Sequence, residues 1–164
     1  MIHKLLAVIL AAGAFLALTE GQKAHDQLTE LEKKGVDLAL QNLNSHPSTE
    51  HHILFSKTLD KFSSEAHFDD RFVYHNFYAK ATTCTKQTED PDPKQCPFRG
   101  DRPLIDCVIC YKGHLENIVS EPKPYVSCVR RPALTEEIKN KRNEQCKTIQ
   151  HSIGTITLLG TKGT

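Results

Sequence analysis

The residues with the clearest chemical potential are Cys107 and Cys110, in the tetrapeptide Cys107-Val108-Ile109-Cys110. A C-x-x-C pair is a redox centre when it opens a helix, because the helix N-terminus lowers the first thiol's pKa. It is half of a zinc site when a second pair follows at knuckle spacing. Otherwise its members are structural half-cystines with separate partners. The flanking run Leu104-Ile105-Asp106 and Tyr111-Lys112 reads as β, not as the start of a helix. Beyond it, Cys128 and Cys146 carry no C-x-x-C or H-x-x-x-H pattern between them, and His114 stands alone as a zinc candidate. The residues therefore point to half-cystines. On a strand, positions an odd number of steps apart face opposite sides, so Cys107 and Cys110 cannot readily bridge each other.

Other chemistry finds little support in the residues. His51 and His52 are adjacent, as are Asp69 and Asp70, so on a strand neither pair shares one face. There is no Gly-rich phosphate loop, no G-x-S-x-G and no H-E-x-x-H. With all six cysteines paired there is no thiol nucleophile. The expectation is a protein that is not an enzyme and that needs no metal or cofactor.

The elements that must position the cysteines read as follows. Residues 27–44 form an amphipathic helix, with Leu28, Leu31, Gly35, Ala39 and Leu43 on one face, flanked by Val36 and Leu40. Thr29 and Glu32 have capping-box spacing, and Pro47 ends the helix. Gly35 inside the pattern suggests close approach to a sheet. Residues 51–59 and 71–84 alternate aromatic and β-branched side chains and read as strands, and 103–112 and 124–130 are two more strand candidates. A Pro- and Asp-rich loop separates the second from the third. Residues 132–146 read as a short helix. The expected class is α+β: one long N-terminal helix packed across an antiparallel sheet of about four strands. Loop closure then suggests Cys84 with Cys96, and a hairpin of the last two strands suggests Cys107 with Cys128. Cys110 is left to reach Cys146 from the other face.

The chain's beginning bears on compartment. Lys4 followed by an apolar run over residues 5–18 reads as a signal peptide, residues 1–21, with cleavage after Gly21. An even number of cysteines fits export to an oxidising compartment. Residues 22–146 then form one domain, with residues 147–164 as a C-terminal tail. The net charge of +1 argues against a general nucleic-acid binder. Between Lys123 and Lys147, however, seven cations face three carboxylates, a stripe able to attract glycosaminoglycan or another anionic surface. No N-x-[ST] sequon occurs. The expectation is a secreted monomer with no membrane span and no nucleic-acid partner.

Taken together, the helix ending in LALQNLNSHP, then TTC, PKQC and CVIC, then cysteines at 128 and 146, resembles the chemerins over roughly residues 28–146. That resemblance implies a cystatin/cathelicidin-like fold with these three bridges. It also implies a secreted chemoattractant and adipokine, with roles in inflammation, chemotaxis and adipocyte regulation. In that family extracellular proteases trim the C-terminal tail, and the new end engages a G-protein-coupled chemokine-like receptor. Here the tail has no aromatic residue but offers Ile149, Ile153, Ile156, Leu158 and Leu159. Ile156, Leu158 and Leu159 are the expected receptor contacts, and Lys162 is the expected processing site. Cathelicidin likeness suggests a cationic host-defence role as the alternative. Protease inhibition of the cystatin kind is less expected, because the chain has neither a Q-x-V-x-G segment nor any Trp.

Overall fold

The computed structural model describes residues 20–65, 67–87 and 92–160, with residue 20 and residues 154–160 described by backbone course only. The order is α1 (Glu20–Asp26), α2 (Glu30–Ser45), β1 (His51–Glu65), β2 (Asp70–Thr85), β3 (Ile105–His114), β4 (Asn117–Ile118), β5 (Tyr125–Arg130) and α3 (Glu136–Gly160). Single 3-10 turns, Pro93–Gln95 and Arg131–Ala133, lie in the connections.

The five strands form one antiparallel sheet in the order β1-β2-β3-β4, with β5 pairing the first part of β3 and β4 its last two residues. The class is thus α+β, with five strands rather than four. Helices cover both faces. Val73, Phe77, Ala79, Cys107, Ile109 and Tyr111 face α2; Phe72, Val108 and Cys110 face α3. Covered on both sides, β3 is buried from Ile105 to Tyr111 without a break, which is why its sequence is nearly continuously apolar.

The helices depart from the sequence reading. A separate short helix, α1, precedes the expected helix over 27–44, which is α2 and starts at Glu30, capped by Thr29. Its hydroxyl accepts from the Glu32 N–H at 3.2 Å, and the Glu32 carboxylate accepts from the Thr29 N–H at 2.9 Å. The seven residues of α1 lie against β1. Leu31, Gly35, Val36 and Ala39 bury the face of α2 against the sheet. At Gly35 the approach is too close for any side chain: a Cβ there would lie 2.5 Å from the Tyr111 hydroxyl. That hydroxyl donates to the Leu31 carbonyl at 2.8 Å.

The longest helix is the C-terminal one, not the N-terminal one. The helix expected over 132–146 starts instead at Glu136, where the Thr135 hydroxyl accepts from the Ile138 N–H at 3.3 Å. It then runs 25 residues, so the division expected after Cys146 falls inside it. No helix among the described residues is long and apolar enough to cross a membrane.

At the far end of the sheet two hairpin tips meet. Phe68, Asp69 and Leu115 take left-handed backbone, with φ of 61°, 63° and 54°. The Leu115 N–H donates to the Asp69 carbonyl at 3.1 Å, and Asp70 holds Lys112 and His114 at 2.7 and 2.8 Å.

Candidate functional site

The cysteines organise the molecule as opposite-facing residues of one strand should. Cys107 lies in register with Cys128 across β3 and β5, and the two are joined on the α2 side. Cys110 points to the other face and is joined to Cys146 of α3. Cys84 and Cys96 close the loop between β2 and β3. These are the three pairs that loop closure, the hairpin and strand alternation suggest, and they leave no free cysteine.

Around Cys110–Cys146 the structure assembles a docking site for α3. Arg142, Cys146, Ile149 and Ile153 follow one another at four- and three-residue spacing on the helix face that meets the sheet. Arg142 is only 4% exposed. Its guanidinium donates to the Asp106 carboxylate at 2.6 Å and to the Asp106 carbonyl at 2.9 Å. It also donates to the Ser127 hydroxyl at 3.0 Å and to the Ser127 carbonyl at 3.2 Å. The Asn76 amide donates to the same Asp106 oxygen at 2.9 Å. A buried charge needs this kind of saturation, since an unpaired one costs several kcal/mol.

Sequence reasoning placed Arg142 among the stripe's surface cations; the structure removes it from solvent. The signal was its position four residues before Cys146, which puts both on one helix face. The stripe is further reduced because Lys139 pairs with Glu136 at 2.8 Å. Lys123, near Lys34 and Asp37, lies by α2 on the opposite side of the sheet. The stripe is therefore not one face.

The tail residues divide. Ile149 is buried and Ile153 packs beside it, so both serve to seat α3. Ile156, Leu158 and Leu159 fall within the backbone course of α3, but their side chains, like Lys162 and residues 1–19, lie outside the described residues. Gly21 is in α1. A Cβ there would lie 3.0 Å from the Phe55 carbonyl and from the Phe98 ring, so the segment is closely docked.

On the α2 face two titratable groups, His75 and Tyr111, are wholly enclosed. His75 is 1% exposed, between the Phe55 and Phe77 rings at 6.3 and 5.4 Å. Its Nε2 meets the Thr58 hydroxyl at 2.8 Å, and its Nδ1 has no partner. Burial pushes its pKa down to about 4, so the ring is neutral at physiological pH. Burial also raises the Tyr111 phenol well above its usual value. Among the described residues, no group of three or more His, Cys, Asp or Glu side chains is placed to hold a metal ion.

No protein-family model matches the chain, and no curated protein matches it significantly.

Proposed function

We propose that this protein is a secreted, monomeric signalling ligand of cystatin-like fold. In the manner of the chemerins, its C-terminal segment acts on a cell-surface G-protein-coupled receptor after extracellular proteases trim the tail. Three disulfides and the lack of any membrane-spanning helix among the described residues suit an oxidising, extracellular setting. A helix packed across an antiparallel sheet, with C-x-x-C divided between two faces, supports the cystatin-like reading.

The observation that carries the proposal is the anchoring of α3. Cys146 and Arg142 root the C-terminal segment in the central strand, and Ile149 and Ile153 pack beside them. A ligand segment that starts from a rigid root loses less entropy on binding than one on a free chain. With Ile149 and Ile153 committed to the core, the receptor contacts fall to Ile156, Leu158 and Leu159.

The test uses three secreted proteins that begin at Gln22 and end at Thr164, Lys162 or Ile153. The last keeps every described core residue of α3. Each is assayed for calcium signalling and migration in cells bearing a chemerin-type receptor. The expected order is strongest for the Lys162 end, weaker for the full chain, and silent for the Ile153 end. Equal responses from all three, or silence from all three with circular dichroism unchanged, would overturn the proposal.

A further inference from the structure

Sequence-distant cations converge at the β1 edge of the sheet, with Lys57 and Lys80 on its α3-side face and Lys94 beside α1. Lys57 and Tyr78 are register partners on β1 and β2, and Lys80 follows Tyr78 on the same face. The Lys57 ammonium lies 5.7 Å from the Tyr78 ring centre, and the Arg131 guanidinium lies against the same ring at 5.7 Å. The Lys80 ammonium sits 5.6 Å from the Phe98 ring. Lys57, Lys80 and Lys94 also line a cleft of about 550 Å³ beside α1, with Phe98 in its wall.

None of these four cations belongs to an ion pair among the described residues, whereas Lys33, Lys61, Lys112, Lys139 and Arg142 all do. Asp37, which lines the same cleft, is held by His25 at 3.0 Å. Four like charges whose one cleft carboxylate is engaged by His25 repel one another, and an arriving polyanion relieves that repulsion. The rings hold the side chains over the sheet, so less side-chain entropy is lost on binding.

We propose that Lys57, Lys80, Lys94 and Arg131, carried on Tyr78 and Phe98, form a binding face for sulfated polysaccharide. The choice of polysaccharide over nucleic acid rests on the extracellular reading above. Sulfate groups meet the cations, which the Tyr78 and Phe98 rings hold in place. This face takes only Arg131 from the stripe of residues 123–147, whose Arg142 is buried and whose Lys139 is paired.

The probe is a heparin octasaccharide, titrated against the folded protein over a range of NaCl concentrations. The triple variant Lys57→Gln/Lys80→Gln/Arg131→Gln is compared with Lys123→Gln/Lys141→Gln/Lys147→Gln, which removes the same charge elsewhere. Tyr78→Leu removes the shared ring. Counterion release gives a slope of roughly 0.7–0.9 per neutralised charge, so the first triple is expected to lower the salt slope by about 2 to 3. It is expected to weaken binding at least about tenfold at physiological salt, with the second triple near wild type and Tyr78→Leu in between. Unchanged thermal melting of the variants separates lost binding from lost fold, and Lys57→Arg/Lys80→Arg/Arg131→Lys is expected to retain affinity. Equal losses from both triples, no heparin binding by the wild type, or single-stranded DNA competing as well as heparin would each overturn the proposal. Receptor signalling is scored separately: heparin binding that maps to this face in a protein silent at the receptor leaves the site standing and removes the signalling reading.

Discussion

The two faces of the sheet are closed by different means. Under α2 the contact is broad and apolar, with Leu31, Val36 and Ala39 on Phe77, Ile109 and Tyr111. Its enclosed ionisable groups, His75 and Tyr111, are neutral. Under α3 the buried apolar cluster is small, and the helix is held by a buried ion pair and a disulfide. Area-driven packing tolerates small shifts of a helix along the sheet. A saturated guanidinium and a covalent bridge do not. The comparison teaches that α2 supplies the fold's bulk stability, while α3 is set in position by a few specific contacts.

The largest expected effect attacks the pins. Arg142→Met leaves Asp106 buried and unpaired, which costs about 3–5 kcal/mol by urea denaturation. Arg142→Met/Asp106→Leu is expected to recover most of that loss. A double variant no more stable than the single would mean that the pair stabilises the fold outright, and would turn the contrast around.

Next comes the bridge. Cys110→Ser/Cys146→Ser opens a loop with a sequence separation of 36. It is expected to cost about 3–4 kcal/mol. Hydrogen exchange is expected to speed up in α3 well before α2, which isolates the pinned face from the packed one.

On the packed face the buried histidine predicts a pH effect. Its folded pKa of about 4 lies below the ordinary value of 6.5, so between those values the unfolded chain binds more protons than the folded one. Its contribution to stability is complete above about pH 6.5 and is lost as pH falls toward 4, on the order of 3 kcal/mol in all. His75→Phe is expected to flatten the decline in unfolding free energy between pH 7 and pH 4.5. An unchanged decline would assign it to other groups.

The smallest effect probes fit. Gly35→Ala drives a methyl group against the Tyr111 ring and hydroxyl, at an expected cost of about 1–3 kcal/mol. Tyr111→Phe added to it is expected to restore part, because the 2.5 Å contact is with the hydroxyl oxygen. Full additivity of the two changes would show that the close approach carries no coupling.

Much of this was legible in residue order. Alternation located β1 and β2, apolar β-type runs located β3 and β5, and the Thr29–Glu32 spacing marked a capping box that the structure contains. The odd step from Cys107 to Cys110 implied two faces because strand geometry alternates whatever the context. The two-residue β4 was too short to leave a pattern, and the length of α3 was hidden because Gln150–Gly160 has little charge alternation. Arg142 was misread because a lysine or arginine among charged neighbours looks solvated whether or not a carboxylate waits beneath it.

Composition, periodicity and cysteine spacing thus carried the α+β class and the split roles of Cys107 and Cys110. Each follows from local backbone geometry or from the hydrophobic pattern. Only the tertiary structure decided that Asp106 and Arg142 meet, that α3 covers the second face, and that Lys57, Lys80, Lys94 and Arg131 share one surface. Those facts depend on which residues far apart in the chain are brought within a few ångströms, and that is set by the packing of whole elements, not by the neighbours of any one residue.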